Sequence, residues 1–269
     1  MRIGVYIFGL ASIAAGVLDL IWGELEPAHQ PLQAWGDHIP GMTTFAYVVA
    51  VWLIVGGATI LWRKTERFGA AALVVLYGIF VLFPLPRFYT APHYLGYQLS
   101  TYIGVMANVC EQIILFVAAV VAWESLAARS SVSQKTALIA CWVLGFCSVF
   151  FGLGHLTAVQ TVVPLVPKWL PLGGSFWAVL TGIAFVLAGL AIVSGVLDVL
   201  AARLLGLMLL VFSVLALTPL IFATPRDHTA WGGNAYNMTV VGAAWIVADW
   251  LEARREAVHT AQSASTATA

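Results

Sequence analysis

Apolar residues run along this chain in long blocks, separated by short breaks that are polar, basic or rich in proline. A helix needs about 20 mostly apolar residues to cross roughly 30 Å of hydrocarbon. Eight windows meet that length, centred near Ile13, Trp52, Leu76, Glu111, Gly145, Phe185, Met208 and Gly242. Inside the first window, Gly9, Ser12, Gly16 and Asp19 fall within an arc of about 80° at 100° per residue. Gly145, Ser148, Gly152 and His155 repeat that arc in the fifth window. Small residues on one face let membrane helices approach closely, because lipid gives them no hydrophobic reason to associate. The spacing therefore predicts that Asp19 and His155 point into the bundle, each near the same end of its helix.

The correspondence continues beyond these helices. Trp35 and Pro40 follow the first block as Trp169 and Pro171 follow the second, and His93 and His228 occupy matching places. The pattern predicts an all-α membrane protein of eight transmembrane helices, built as two fused four-helix bundles. With an even number of helices per unit the two are parallel repeats, related by an axis along the membrane normal. Residues 1–127 form the first unit, 128–136 a polar cytoplasmic linker, 137–253 the second unit and 254–269 a tail. The tail beyond His259 is rich in Ser, Thr and Ala with no apolar face, which predicts disorder.

The stretch Gly152–Pro171, GLGHLTAVQTVVPLVPKWLP, is followed by FWAVLTGIAFVLAGLAI. A Gly-x-x-His helix end, a VP-x-W-LP loop and a TG-x6-GL helix together resemble the core motif of DoxX-like integral membrane proteins. The resemblance covers residues 137–252 well and residues 3–127 more loosely. It implies a four-helix membrane unit, here duplicated, and association with quinone-linked redox systems, in which some relatives are small membrane subunits.

Composition agrees with the pattern. Hydrophobic residues make up 61% of the chain and charged residues 9%, against about a quarter charged in soluble domains. Twelve basic residues balance 12 acidic ones, so nothing points to a nucleic-acid partner. Cys110, Cys141 and Cys147 lie in apolar windows without metal or disulfide spacing and read as small core residues. The first window could be a signal peptide, but its pattern returns at Gly145 where no cleavage can occur, so it reads as a retained helix.

Candidate chemistry is confined to a few polar positions. Glu111 lies near the middle of its window, one turn after Asn108 and two after Gly104. An ionisable residue at membrane depth is a functional candidate by default. Glu111 is either a protonated carboxyl bonded to Asn108 that holds helices in register, or a proton or ligand site. No basic residue is expected at its depth, so its carboxyl is expected to be neutral. His155 is the motif histidine; without a second buried histidine a haem held by a His pair is disfavoured. His29, Asp37, His38, His93, Asp227 and His228 cluster on the outer connections without metal-ligand spacing.

Tryptophans and tyrosines are dense at the same end, as in an interfacial belt. They also suit a flat apolar ligand with a polar head, a quinone above all, held near His155 and Asp19 with Trp169 and Trp177 lining the site and Glu111 and Asn108 deeper in. No nucleophile and base pair is apparent and no catalytic residue is assigned. The expected function is that of a non-catalytic, quinone-interacting membrane subunit with a redox partner. The alternatives are a transporter or binding protein for a small molecule or lipid working through Glu111, and, less favoured, a membrane isomerase or hydrolase.

Basic residues are asymmetric. Arg2, Arg63, Lys64, Arg67, Arg129, Lys135, Arg203, Arg254 and Arg255 fall on one side, and Arg87, Lys168 and Arg226 on the other. By the positive-inside rule both termini are cytoplasmic in a cell inner (plasma) membrane. A reporter fused at the C-terminus should be active only as a cytoplasmic-side reporter, and activity of a periplasm-dependent reporter at that position would reverse the assignment.

Overall fold

The computed structural model describes residues 2–30, 40–127 and 133–267. Trp35, Asp37, His38 and most of the linker, 128–132, lie outside the described residues. The described residues are mostly helical, without strands. In order the elements are α1 (Ile3–Trp22), α2 (Met42–Leu61), α3 (Glu66–Phe80), α4 (Arg87–Leu95), α5 (Leu99–Ala127), α6 (Gln134–Thr157), α7 (Val159–Val162), α8 (Gly173–Ser194), α9 (Asp198–Phe212), α10 (Thr218–Ala223) and α11 (His228–Ala267).

Among the described residues six stretches are long and apolar enough to cross a membrane: α1, α2, α5, α6, α8 and the rod Asp198–Ala223 formed by α9 and α10. The chain is thus a multi-pass membrane protein. The other two apolar windows are also helical but different in kind. α3 has 15 residues and stops before Pro84 and Pro86, neither of which can donate a helix hydrogen bond. α11 has 40 residues and carries Asn234, Asn237 and Thr239 among its apolar positions. It continues to Ala267, across the segment that composition assigns to a disordered tail. That segment holds no Pro or Gly, and Ala261, Ala264 and Ala267 are the strongest of helix formers.

The eight long elements form a ring in chain order. Each packs on the next through α1, α2, α3, α5, α6, α8, α9 and α11, and α11 returns to lie along the whole of α1. α5 and α11 also meet across the middle. α5 therefore packs against α6, and α11 against α1.

Close packing falls where the small-residue pattern puts it. A Cβ on Gly57 of α2 would stand 2.6 Å from the Gly9 carbonyl oxygen, and one on Gly189 of α8 2.4 Å from that of Gly145. A Cβ on Gly16 would meet the Ala50 carbonyl oxygen at 2.5 Å, and one on Gly152 that of Gly182 at 2.6 Å. The α1–α2 and α6–α8 pairs thus touch backbone to backbone at matched positions. The core between the first three helices is filled by Phe8, Leu53, Leu73, Tyr77 and Phe80, all buried.

At the end bearing the N-terminus, ion pairs join helix ends: Arg2 with Glu66, Arg203 with Asp249 (2.5 Å) and Glu252 (2.9 Å), and Arg255 with Asp198 (2.5 Å). Gly57→Leu and Gly189→Leu should each push their helix pair apart and lower thermal stability in detergent by about 1–3 kcal/mol or more. Gly104→Ala, whose new Cβ meets nothing within 4 Å, should leave the melting temperature unchanged or slightly raised.

Candidate functional site

Two features meet at the centre of the molecule: a buried turn after α1 and a cavity between the helices of the second half. Gly23, at φ 68°, ends α1 in a left-handed conformation that a side chain would strain. The chain then re-enters the bundle as a 3-10 turn, Pro27–His29. Pro27 presets the turn, and the Glu26 carboxylate end caps it by accepting from Ala28 N at 2.7 Å. The Glu26 backbone N–H donates to Asp19 Oδ1 at 3.1 Å.

Backbone that is not helical at this depth must find partners. Arg87, only 2% exposed at the start of α4, supplies them: its guanidinium donates to the carbonyls of Pro27 (2.8 Å) and Gln30 (2.6 Å) and to Asn108 Oδ1 (2.6 Å). Gln112 donates to the Ala28 carbonyl (3.3 Å) and to the Tyr236 hydroxyl (3.1 Å). Asn108 in turn donates to Glu111 Oε2 at 3.2 Å. Sequence spacing does relate Asn108 to Glu111, but the expectation that no cation lies near Glu111 is wrong. Arg87 belongs to a connection by sequence, yet the Pro84–Pro86 turn folds it inward beside both Glu111 and Glu26.

The cavity has a volume of about 920 Å³. Its walls are mainly apolar, from α6, α8, the α9–α10 rod and α11, with Val162, Leu165 and Pro167 of the connection at its rim. Glu26, Glu111, Tyr236, Asn237, His155 and Thr181 are the polar groups on its surface. The rod contains a π-helical stretch here, Ser213–Leu217, just before Pro219. Asn237 bridges the irregular turn, donating to the Leu209 carbonyl (2.8 Å) and to Ser213 Oγ (2.7 Å). His155 lies against Phe185 and Phe212, at 5.2 and 6.2 Å between ring centres, and its Nδ1 meets Thr181 Oγ1 at 3.1 Å.

Of the residues that the sequence points to, the cavity gathers His155, Trp177 and Glu111, with Asn108 directly behind Glu111. Asp19 and Trp169 do not line it. Trp169 is 69% exposed on the connection. Asp19 is buried in a separate cluster, 3.4 Å from His228 Nε2, while His228 Nδ1 lies 3.3 Å from the exposed Glu24 and its ring stacks on Trp22 at 5.0 Å. His93 and His228 match in sequence but not in setting, since His93 is exposed beside Tyr89 and Tyr97. Among the described residues no group of three His, Cys, Asp or Glu side chains is placed to hold a metal.

Sequence reasoning missed Glu26, Arg87, Gln112, Tyr236 and Asn237. Two signals were present: the ELEP stretch immediately after an apolar window, and polar residues recurring at 234 and 237 within another. Compared with protein families, characterised proteins and solved structures, the chain matches none.

Electrostatics in the turn follow from burial. Desolvation raises the Glu26 carboxyl to about 8, with Glu111 adding to the shift and the Ala28 N–H opposing it. Burial, then Arg87, lowers His29 to about 3, so its ring is a neutral plate between Phe80 (4.3 Å) and Tyr236 (5.0 Å). Burial works against a charge on His228, but Asp19 and Glu24 outweigh it and its pKa is raised.

Each shift has a sign for stability. Glu26 binds more protons folded than unfolded between its ordinary 4.5 and about 8, so its contribution is lost as pH rises through that range. His228 acts in the same direction above its ordinary 6.5. His29 acts oppositely, but only between about 3 and 6.5. Thermal stability in detergent should therefore fall from pH 6.5 to 8.5, by at most about 1.4 kcal/mol per pH unit for each group. Glu26→Gln should make that decline shallower; an unchanged slope would remove Glu26 as its source.

Proposed function

We propose that this chain is a duplicated, DoxX-like integral membrane protein that binds a small apolar molecule with a polar head, a quinone being the type case, in the cavity beside His155. One observation carries the reading: an apolar cavity of about 920 Å³ with a few convergent polar groups, the usual form of a small-molecule site. Its volume suits one ring system with part of a hydrocarbon tail. Phe185, Phe212 and Trp177 give flat surfaces for the ring, while His155, Asn237 and the two carboxyls can orient the head.

The rest of the proposal concerns architecture. Matched glycine contacts in α1–α2 and α6–α8 support two like-oriented units. On this reading α3 and α11 complete eight crossings, both termini are cytoplasmic in the cell membrane, and the protein serves a redox system as a non-catalytic subunit with a membrane or soluble partner. A transport role is a second reading, favoured by one feature: Glu26 and Glu111 share the inner end of the cavity with Arg87 close behind, an arrangement that can hold or release a proton with its cargo.

Titrating a short-chain quinone against the intrinsic Trp fluorescence of the protein in lipid nanodiscs should give saturable quenching. His155→Ala and Trp177→Leu should each weaken binding about 3- to 10-fold through lost ring contact. Equal affinity in both variants would move the ligand out of this cavity. For the second reading, quinone-independent, proton-dependent flux of a small molecule into liposomes is the expected outcome.

A further inference from the structure

The hydrogen-bonding groups on the cavity wall are strongly one-sided. Thr181 is hydrogen-bonded back along α8, its hydroxyl donating to the Trp177 carbonyl at 2.8 Å, with that of Ala178 at 3.2 Å. A hydroxyl has one proton, so Thr181 accepts from His155 at 3.1 Å. Nδ1 of His155 therefore carries the proton, and Nε2 is left as a bare acceptor with no partner among the described residues.

The other donors are committed in the same way. Both Asn237 amide protons go to the Leu209 carbonyl and Ser213 Oγ. A carbonyl fixes which end of the amide faces it, so Oδ1 is the free end. Trp177 Nε1 donates to the Pro171 carbonyl at 2.7 Å. The Tyr236 hydroxyl accepts from Gln112 and gives its proton to Glu111. The single donor left facing the cavity is a proton on the Glu26 and Glu111 pair; His155 Nε2, Asn237 Oδ1 and the remaining carboxyl oxygens all accept.

We infer that the cavity is built for the hydroxyl-bearing form of its ligand, a quinol or phenol head, and discriminates against the carbonyl form. The inference rests on the cavity being a ligand site, as proposed above, and adds which chemical state fills it. A quinol brings two donors, one for His155 Nε2 and one for an acceptor at the Asn237 or carboxyl end. A quinone brings only acceptors, which would face acceptors at His155 and Asn237 and leave both sides desolvated without a bond. No electron transfer is part of this inference; it concerns equilibrium binding alone.

The test is calorimetric titration of decylubiquinol and decylubiquinone, under anaerobic conditions, into the full-length protein in nanodiscs, with 4-nonylphenol and 4-nonylanisole as a redox-inert pair that differs by one donor. The quinol should bind about 10-fold or more tightly than the quinone, and the phenol more tightly than the anisole. His155→Phe, which keeps the ring and removes the acceptor, should shrink both ratios while retaining binding. Equal affinities within each pair, or preference for the carbonyl form, would overturn the inference and leave the cavity as a ligand site. Absence of saturable binding by all four compounds would overturn both. The parent protein's two ratios decide the matter even where the variant fails to fold.

Discussion

The burial of a non-helical turn inside a helical bundle is the constraint that organises this molecule. Helices satisfy their own backbone groups, whereas the segment around Pro27–His29 satisfies only some of its own. Arg87 and Gln112 close that deficit by donating to the carbonyls of Pro27, Ala28 and Gln30. Removing a partner of this kind leaves buried groups unsatisfied, which costs more than an ordinary hydrogen bond contributes. The turn, the start of α4 and the middle of α5 are consequently one structural unit, held by a single guanidinium and a single amide.

That unit also sets the N-terminal part of the bundle apart from the C-terminal part. In the first half the chain dips back after α1 and fills the space below it with Leu25, His29 and the residues around Phe80. In the second half the corresponding connection stays at the rim, with Val162 and Leu165 at the mouth and Trp169 outside. The close-packed α1–α2 pair thus borders a filled core and the α6–α8 pair a cavity. The π stretch at Ser213–Leu217 interrupts the rod along the cavity wall, and Asn237 donates to the Leu209 carbonyl and Ser213 Oγ beside it.

Charge follows the same geometry. Two carboxyls, Glu26 and Glu111, and one guanidinium are buried together, and a neutral Glu26 leaves the group close to electrically balanced. A second chain of ionisable groups, Glu24, His228 and Asp19, runs from the surface to the backbone of Glu26. Asp19 thereby supports the turn, and its likeness in register to His155 does not extend to a common role.

The sequence by itself determined the helices and where they touch. Apolar blocks, Pro breaks and the Gly9, Gly16, Gly145 and Gly152 spacing are local signals, because a residue without a side chain permits close approach whatever its partner. It also singled out Glu111, Asn108, His155 and Trp177, which lie on helices whose register is readable from spacing. Only the tertiary structure decided that Arg87 turns inward, that Glu26 lines the cavity with Glu111, that α11 lies along α1 and that Asp19 and Trp169 stand apart from His155. Those facts depend on the path of connections between helices. That path is fixed by the need to satisfy buried backbone groups from residues 57 and 60 positions away in the chain, which no local periodicity encodes.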